Sequence, residues 1–234
     1  MFFKNKTILL IIMIISIFNN LELIITESIY FISVIALCLT IVFKTREIYK
    51  LTKHRGINNF RNIFKYFALS YFFRIIQIII LLLKDSLSLM TLLIISGANL
   101  FLISYMSTLA LFSIFFTISN RLTRNQELIF KILAFGISIM AFLTLSIEFI
   151  TIIQLLTTIV IVITLLKSKK SKLLTKMKII YLLLILFWII NLLFVSSFSF
   201  QTIFRTPTYM ISLILLFLIE QRVKKRLDFD EKKK

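Results

Sequence analysis

The sequence predicts an all-α, multi-pass transmembrane helix bundle. Hydrophobic residues make up 59% of the 234 residues, and the mean hydropathy of +1.00 is far above what a soluble domain of this length needs. Several apolar runs approach the roughly 20 residues that cross a hydrocarbon layer about 30 Å thick. Only three Gly and one Pro interrupt these runs, and they lack the alternation of barrel strands, so we expect helices.

Apolar runs bounded by charged residues divide the chain into about eight predicted spans. Seven spans remain an alternative, because the turn around Glu148 is so short that the fifth and sixth spans could be miscounted. The spans form one bundle, 1–220, and a basic cytoplasmic tail follows it, 221–234. The predicted helices cover residues 7–25, 29–43, 62–83, 90–117, 129–146, 150–166, 179–199 and 207–220.

Two helix ends carry local signals. Gly56 suits the left-handed residue that closes a helix, so the second helix is expected to extend past the membrane to about His54. Thr206 followed by Pro207 fits an N-cap and a first helical residue, so the last helix is predicted to start there.

The basic residues predict the orientation of the bundle. With eight spans, 25 of the 28 Lys and Arg fall on one side, and only Lys84 and Arg205 fall in segments on the other. The positive-inside rule places the basic side in the cytoplasm, so both termini are expected there, in the cell membrane. The basic segments are Lys4 and Lys6, 44–65, 119–131, 167–178 and the residues after 220.

Composition excludes several classes of function. A net charge of +18 would suggest a nucleic-acid partner in a soluble protein, but here the charge lies between apolar runs, so we expect lipid and anionic headgroups at the cytoplasmic face instead. One cysteine, Cys38, and one histidine, His54, do not suffice for a disulfide or a Cys/His metal site. There is also no P-loop, no HExxH and no aspartate pair in a span. We therefore expect neither an enzyme nor a cofactor.

Arg74 marks the candidate site. A charge inside a span costs roughly 2.5 to 3.5 kcal/mol on insertion scales, so it is expected to face the bundle interior. At 100° per residue, Arg74 shares one helix face with other polar residues, and the fourth, sixth and seventh predicted helices each offer a polar face as well. The predicted site comprises Arg74, Gln77, Ser70, Asn99, Gln154, Asn191 and Glu22, with Glu22 as the counter-charge of Arg74.

Two interpretations of these polar faces stay open. They can hold the bundle together through hydrogen bonds between helices, or they can line a cavity for a ligand or ion. Two functions follow. The first is a membrane-embedded sensor or scaffold that acts through its basic loops on a separate signalling or transport protein; in layout only, the chain resembles multi-span sensor modules found ahead of histidine kinases. The second is a transporter or channel for a small solute, ion or lipid, with its cavity around Arg74.

Overall fold

A computed structural model describes the backbone of residues 2–53, 55–119, 124–167, 172–196 and 201–231. Side chains are described for Glu22, for most of 24–192 and for 206–225. Within these residues the chain is all-helical, as the sequence predicts. The helices are α1 (Phe2–Thr52), α2 (Arg55–Leu82), α3 (Leu89–Ser119), α4 (Arg124–Thr144), α5 (Ile147–Lys167), α6 (Lys172–Ser196) and α7 (Gln201–Glu231), with a 3-10 turn at Lys84–Ser86.

The apolar helices have the dimensions of membrane spans. Five segments in the described part of the chain are long and apolar enough to cross a bilayer, and α6 adds a shorter apolar stretch, Lys178–Leu192. The expectation of a membrane-spanning helical protein is thus supported by both composition and helix length. The five segments are Ile24–Lys50, Arg55–Leu82, Leu89–Ser119, Asn125–Thr144 and Ile147–Lys167.

The first helix differs from the prediction. The sequence predicts separate helices at 7–25 and 29–43, but α1 runs through both without a break. No Gly or Pro lies between them, and Thr26 Oγ1 donates to the carbonyl of Glu22 at 2.8 Å, a bond that threonine makes inside a helix. The acidic residues of this segment therefore mark no turn in the structure.

Two predicted helix ends also lie elsewhere. The left-handed residue after α1 is Lys53, with φ 48°, whereas Gly56 lies inside α2. The last helix begins at Gln201 rather than at Thr206, so Pro207 lies within α7 and removes one backbone donor there. The predicted tail, from residue 221, continues α7 to Glu231.

The short connection near Glu148 does separate two helices. α4 ends at Thr144 and α5 begins at Ile147, so two residues make the turn. Leu145 adopts φ 50°, which reverses the chain, and Ser146 Oγ accepts a hydrogen bond from the Phe149 amide at 3.2 Å, as an N-cap does. The fifth and sixth predicted spans are therefore distinct helices.

Six of the seven helices form a closed ring. α1 packs against α2, α2 against α3, α3 against α5, α5 against α6, α6 against α7, and α7 returns to α1. α4 lies outside the ring, against α3 and α5. The ring encloses the main cluster of buried residues, in which Phe67 stacks on Trp188 with ring centroids 4.9 Å apart.

Ion pairs join the helices at one end of the ring. Lys44 of α1 pairs with Glu220 of α7, and Arg55 of α2 pairs with Glu127 of α4. We call this the basic end; its described residues are 44–53, 55–65, 124–131, 172–178 and 220–231. The connections at 83–88 and 145–146 lie at the opposite end.

Two glycines differ in their surroundings and provide a matched test of the packing. A Cβ on Gly97 of α3 would lie 3.0 Å from Leu145 and 3.1 Å from Phe142, whereas a Cβ on Gly136 of α4 would meet no atom within 4 Å. We expect Gly97→Val to lower the Tm in detergent by roughly 3 to 10 °C, because overpacking costs about 1 to 3 kcal/mol. Gly136→Val should leave the Tm nearly unchanged. Equal Tm values for the two variants would contradict the close approach of α3 to the α4–α5 turn.

Candidate functional site

A cavity of about 400 Å³ lies inside the helix ring, toward the end opposite the basic end. All six ring helices contribute to its wall, and the α4–α5 turn closes one side through Leu145. Most of the wall is apolar, with Phe31, Leu100 and Ile150 among its side chains. Its volume and its few polar groups are typical of a small-molecule site.

Arg74 is the basic residue of the cavity wall. It lies eight residues from the end of α2 at Leu82, about 12 Å at 1.5 Å per residue, which places its charge within the hydrocarbon layer. Its guanidinium carbon lies 5.1 Å from the ring centroid of Tyr71. Among the described residues Arg74 makes no hydrogen bond and no ion pair, so its donors are available to the cavity.

Glu27 is the acidic residue of the same wall. Its carboxylate accepts a hydrogen bond from the Tyr209 hydroxyl at 3.2 Å. Tyr209 in turn stacks on Tyr30 with ring centroids 4.3 Å apart. One wall of the cavity is therefore formed by α1 and α7 in direct aromatic contact.

Asn191 of α6 is the centre of a hydrogen-bond network at the base of the cavity. Its Oδ1 accepts from the Tyr30 hydroxyl at 2.6 Å and from the Tyr71 hydroxyl at 2.7 Å. Its Nδ2 donates to Ser212 Oγ at 2.9 Å and to the Phe187 carbonyl at 2.7 Å. The amide thus uses both lone pairs and both hydrogens.

The direction of each hydrogen bond in this network follows from counting the available hydroxyl and amide hydrogens. Tyr30 has one hydroxyl hydrogen and gives it to Asn191, so in the 2.8 Å contact with Ser212 the serine is the donor. Ser212 therefore accepts a hydrogen bond from Asn191 and donates one to Tyr30. Tyr30 in turn donates to Asn191. The three residues form a closed cycle across α6, α7 and α1, and Tyr71 attaches α2 to it.

A second polar group joins α2 to α3. Asn99 Nδ2 donates to Gln77 Oε1 at 2.7 Å and to the Phe73 carbonyl at 2.9 Å. Gln77 Nε2 donates to Ser96 Oγ at 2.9 Å. Gln77 is therefore held by its neighbours on α3 while it lines the cavity.

Gln154 brings α5 to the same cavity. Its Nε2 donates to Ser107 Oγ of α3, and its Oε1 makes no hydrogen bond to a described residue. This carbonyl oxygen is available to accept a hydrogen bond from a molecule in the cavity.

The structure brings most of the predicted site residues together. Arg74, Gln77, Gln154 and Asn191 line one cavity, and Asn99 lies directly behind Gln77. Ser70 is fully buried, is not part of the cavity wall, and has no hydrogen-bond partner among the described residues. Glu22 is exposed and forms no ion pair with Arg74; the acid in the cavity is Glu27, five residues further along α1.

Sequence reasoning missed the residues that α1 and α7 contribute to this site. Tyr30 and Ser212 hold the base of the cavity, and Tyr209 contacts Glu27. A tyrosine inside a lipid-spanning helix needs a partner for its hydroxyl, and this need is the signal that could have identified Tyr30 and Tyr71. Glu27 was missed because the sequence placed it in a turn.

Comparison with known proteins gives one partial similarity. A protein of Archaeoglobus fulgidus, described as an uncharacterized protein, is 35% identical over 60 residues. The matched segment covers 26% of this chain and 26% of the archaeal protein. No family model matches the chain, and no solved structure matches it. The partial similarity carries no function to this chain.

The network predicts a large cost for removing Asn191. Asn191→Leu keeps the size of the side chain but leaves Tyr30, Tyr71 and Ser212 without a shared partner. We expect a loss of about 2 to 5 kcal/mol in unfolding free energy, since three bonds between helices are lost at roughly 0.6 to 1.7 kcal/mol each. Unfolding in mixed micelles measures this loss.

Thr40→Val is the matched control. Thr40 is exposed on α1 and donates to the Ala36 carbonyl of its own helix. Loss of this hydrogen bond should change the unfolding free energy by less than about 0.5 kcal/mol. If Asn191→Leu is equally mild, Asn191 does not hold the four helices together.

Proposed function

We propose that this chain is a multi-pass sensor or scaffold module of the cell membrane that binds a small anionic molecule in the ring cavity and reports its presence to a separate protein at the basic end. The observation that carries the proposal is the cavity-facing Arg74, a membrane-embedded cation that forms no ion pair with a described residue, although the acid Glu27 lines the same cavity. A charge in this position is costly and is expected to serve a site.

The chemistry of the wall favours a carboxylate or a phosphate as the anionic group. A guanidinium presents paired donors that match the oxygens of these groups. Gln154 Oε1 can accept a hydrogen bond from a second, donor group of the same molecule. The apolar remainder of the wall suits a ligand with a hydrocarbon portion.

The buried cluster between the cavity and the basic end favours a sensor over a transporter. The Tyr30–Asn191–Ser212 cycle closes the base of the cavity, and the buried cluster continues from there toward the basic end with Phe67, Phe64 and Trp188. These three rings are fully buried, so apolar side chains fill the centre of the ring at this level, although α3 also buries polar side chains, Ser104 and Thr108 among them. A ligand bound above it would act on helix packing rather than pass through.

A transporter is the second candidate, and Arg74 itself favours it. A cation about 12 Å inside the membrane resembles the mid-membrane sites at which carriers hold anionic substrates. Carriers commonly build such sites from broken helices. α2, which carries Arg74 and Gln77, and α5, which carries Gln154, are continuous over their lengths, and this continuity is why we place the sensor first.

For the topology, we retain eight crossings with both termini in the cytoplasm. A continuous α1 of 51 residues is about 76 Å long, more than twice the hydrocarbon layer, and it would leave the apolar run 7–25 in water. The structure has no break in α1 here, so eight crossings require a turn between Glu22 and Glu27 in the membrane, which would return this run to the bilayer. The same turn places Lys4 and Lys6 with the other basic segments.

Removing the charge of Arg74 tests ligand binding. For an acidic metabolite found to stabilise the purified chain in a thermal-shift screen, we expect Arg74→Gln to weaken binding by at least about tenfold, because a charge-assisted hydrogen bond is worth roughly 1.5 to 3 kcal/mol. The Tm without ligand should stay close to that of the unmodified chain. Lys84→Gln, at an exposed cation of the same end, should bind normally.

The same variants separate the candidate functions. Retained binding by Arg74→Gln would reject the cavity as the ligand site. If vesicles containing the unmodified chain take up the ligand, and Arg74→Gln abolishes uptake, the chain is a transporter. If Arg74→Leu lowers the Tm and no acidic compound stabilises the chain, Arg74 serves helix packing alone.

Reporter fusions test the topology. We expect reporters at the N-terminus, after Lys170 and at the C-terminus to be active in the cytoplasm, and a reporter after Ser86 to be active outside. An N-terminal reporter active outside, with the other three unchanged, would show that α1 crosses the membrane once. Reversal of all four would overturn the orientation.

A further inference from the structure

Three cations lie together on the α1–α2 hairpin at the basic end, far from the cavity. Arg46 is on α1, and Arg61 and Lys65 are one helical turn apart on α2, which packs against α1. Both arginines are close enough for their charges to repel the Lys65 ammonium. Among the described residues none of the three makes an ion pair, so the cluster holds three positive charges without an acidic partner.

Arg61 is fixed in place despite this repulsion. Its Nη2 donates to Asn58 Oδ1 at 2.7 Å, and its guanidinium carbon lies 4.6 Å from the ring centroid of Tyr49. Its Nε is buried and has no hydrogen-bond partner among the described residues. Because Nε is buried, an anion reaches this half-buried guanidinium through its terminal nitrogens; a guanidinium held in one orientation has the character of an anion site rather than of a solvated loop cation.

The depth of the cluster corresponds to the headgroup layer. The segment Ile24–Lys50 is 27 residues long, about 40 Å, which exceeds a hydrocarbon layer of roughly 30 Å by about 10 Å. Arg46 lies about 6 Å from the Lys50 end of this segment, and Arg61 about 9 Å from the start of α2 at Arg55. The backbone of Lys65 lies deeper in the membrane than that of Arg61. Side chains of a helix point toward its N-terminus, which for α2 is at the basic end, so the Lys65 ammonium extends toward the headgroup layer.

Apolar side chains continue from the cations into the membrane. Phe43 precedes Arg46 by three residues and is 60% exposed, and Leu69 follows Lys65 by four residues and is 41% exposed. Each apolar residue is therefore on the same helix face as its cation, one turn closer to the bilayer centre. Cations above exposed apolar groups match a phospholipid, with its charge at the interface and its chains below.

We propose that Arg46, Arg61 and Lys65 form a binding site for the phosphate of an anionic phospholipid whose acyl chains lie along Phe43 and Leu69. The site is separate from the ring cavity and does not depend on the proposed ligand there. Arg61 supplies the fixed guanidinium. The two exposed cations, Arg46 on α1 and Lys65 on α2, contact the phosphate from either side.

The test measures binding of short-chain lipids to the full chain in a neutral detergent. Dihexanoyl phosphatidic acid, the matching phosphatidylglycerol, the zwitterionic phosphatidylcholine and inorganic phosphate are titrated separately, with thermal stabilisation as the readout. We expect the two anionic lipids to stabilise the chain at lower concentration than phosphatidylcholine. Inorganic phosphate should have little effect, because it lacks the acyl chains; equal stabilisation by inorganic phosphate would overturn the lipid assignment.

Matched variants distinguish a specific lipid site from general electrostatic attraction of anionic lipids to the basic end. We expect Arg61→Gln to weaken binding of the anionic lipids on the order of tenfold, and Arg61→Lys to have an intermediate effect, because lysine keeps the charge without the paired donors. Lys224→Gln removes an exposed charge from α7 at the same end and should change binding less than about twofold. Equal losses for Arg61→Gln and Lys224→Gln would overturn the proposal. Should Arg61→Gln fail to fold, Lys65→Gln replaces it with the same expected direction.

Discussion

The absence of water from the hydrocarbon layer is the constraint on which the rest of this structure depends. It requires each backbone polar group to be paired within its own helix, and polar side chains to find partners in their own helix or on another. Asn191 shows the second requirement most fully, because all four hydrogen-bonding positions of its amide are occupied. Its partners come from α1, α2 and α7, so this one side chain determines how four helices meet.

Closure of the ring leaves a cavity, and the polar residues divide into two groups around it. Asn99, Gln77 and Ser96 are paired with one another and hold α2 against α3. Arg74 is different, since it lines the cavity and forms no ion pair with a described residue. The first group therefore serves packing, whereas Arg74 is the residue on which the proposed ligand site depends.

The fold class and most helices could be predicted from the sequence, because the apolar runs and the charges between them report directly on length and burial. The exceptions are places where a residue that usually marks the end of a helix lies inside one. Pro207 lies within α7, and Lys53 rather than Gly56 makes the left-handed turn. Helix periodicity placed Gln77, Gln154 and Asn191 on interior faces, and they do share a cavity. Periodicity says nothing about which helices are neighbours, so the contribution of α1 and α7 required the structure.

The contacts between α1 and α7 give the proposed sensor a physical route across the membrane. Beside the cavity the two helices are joined by the Tyr30–Ser212 hydrogen bond and by the stacking of Tyr30 on Tyr209. At the basic end they are joined again by Lys44 and Glu220, about 21 Å further along α1. A ligand that draws Arg74 away from Tyr71 acts on a residue bonded to Asn191, and through it on Tyr30 and Ser212. Because α1 and α7 are continuous helices between their two contacts, the proposed sensor is expected to carry a change in their packing beside the cavity to the basic end as a displacement of whole helices.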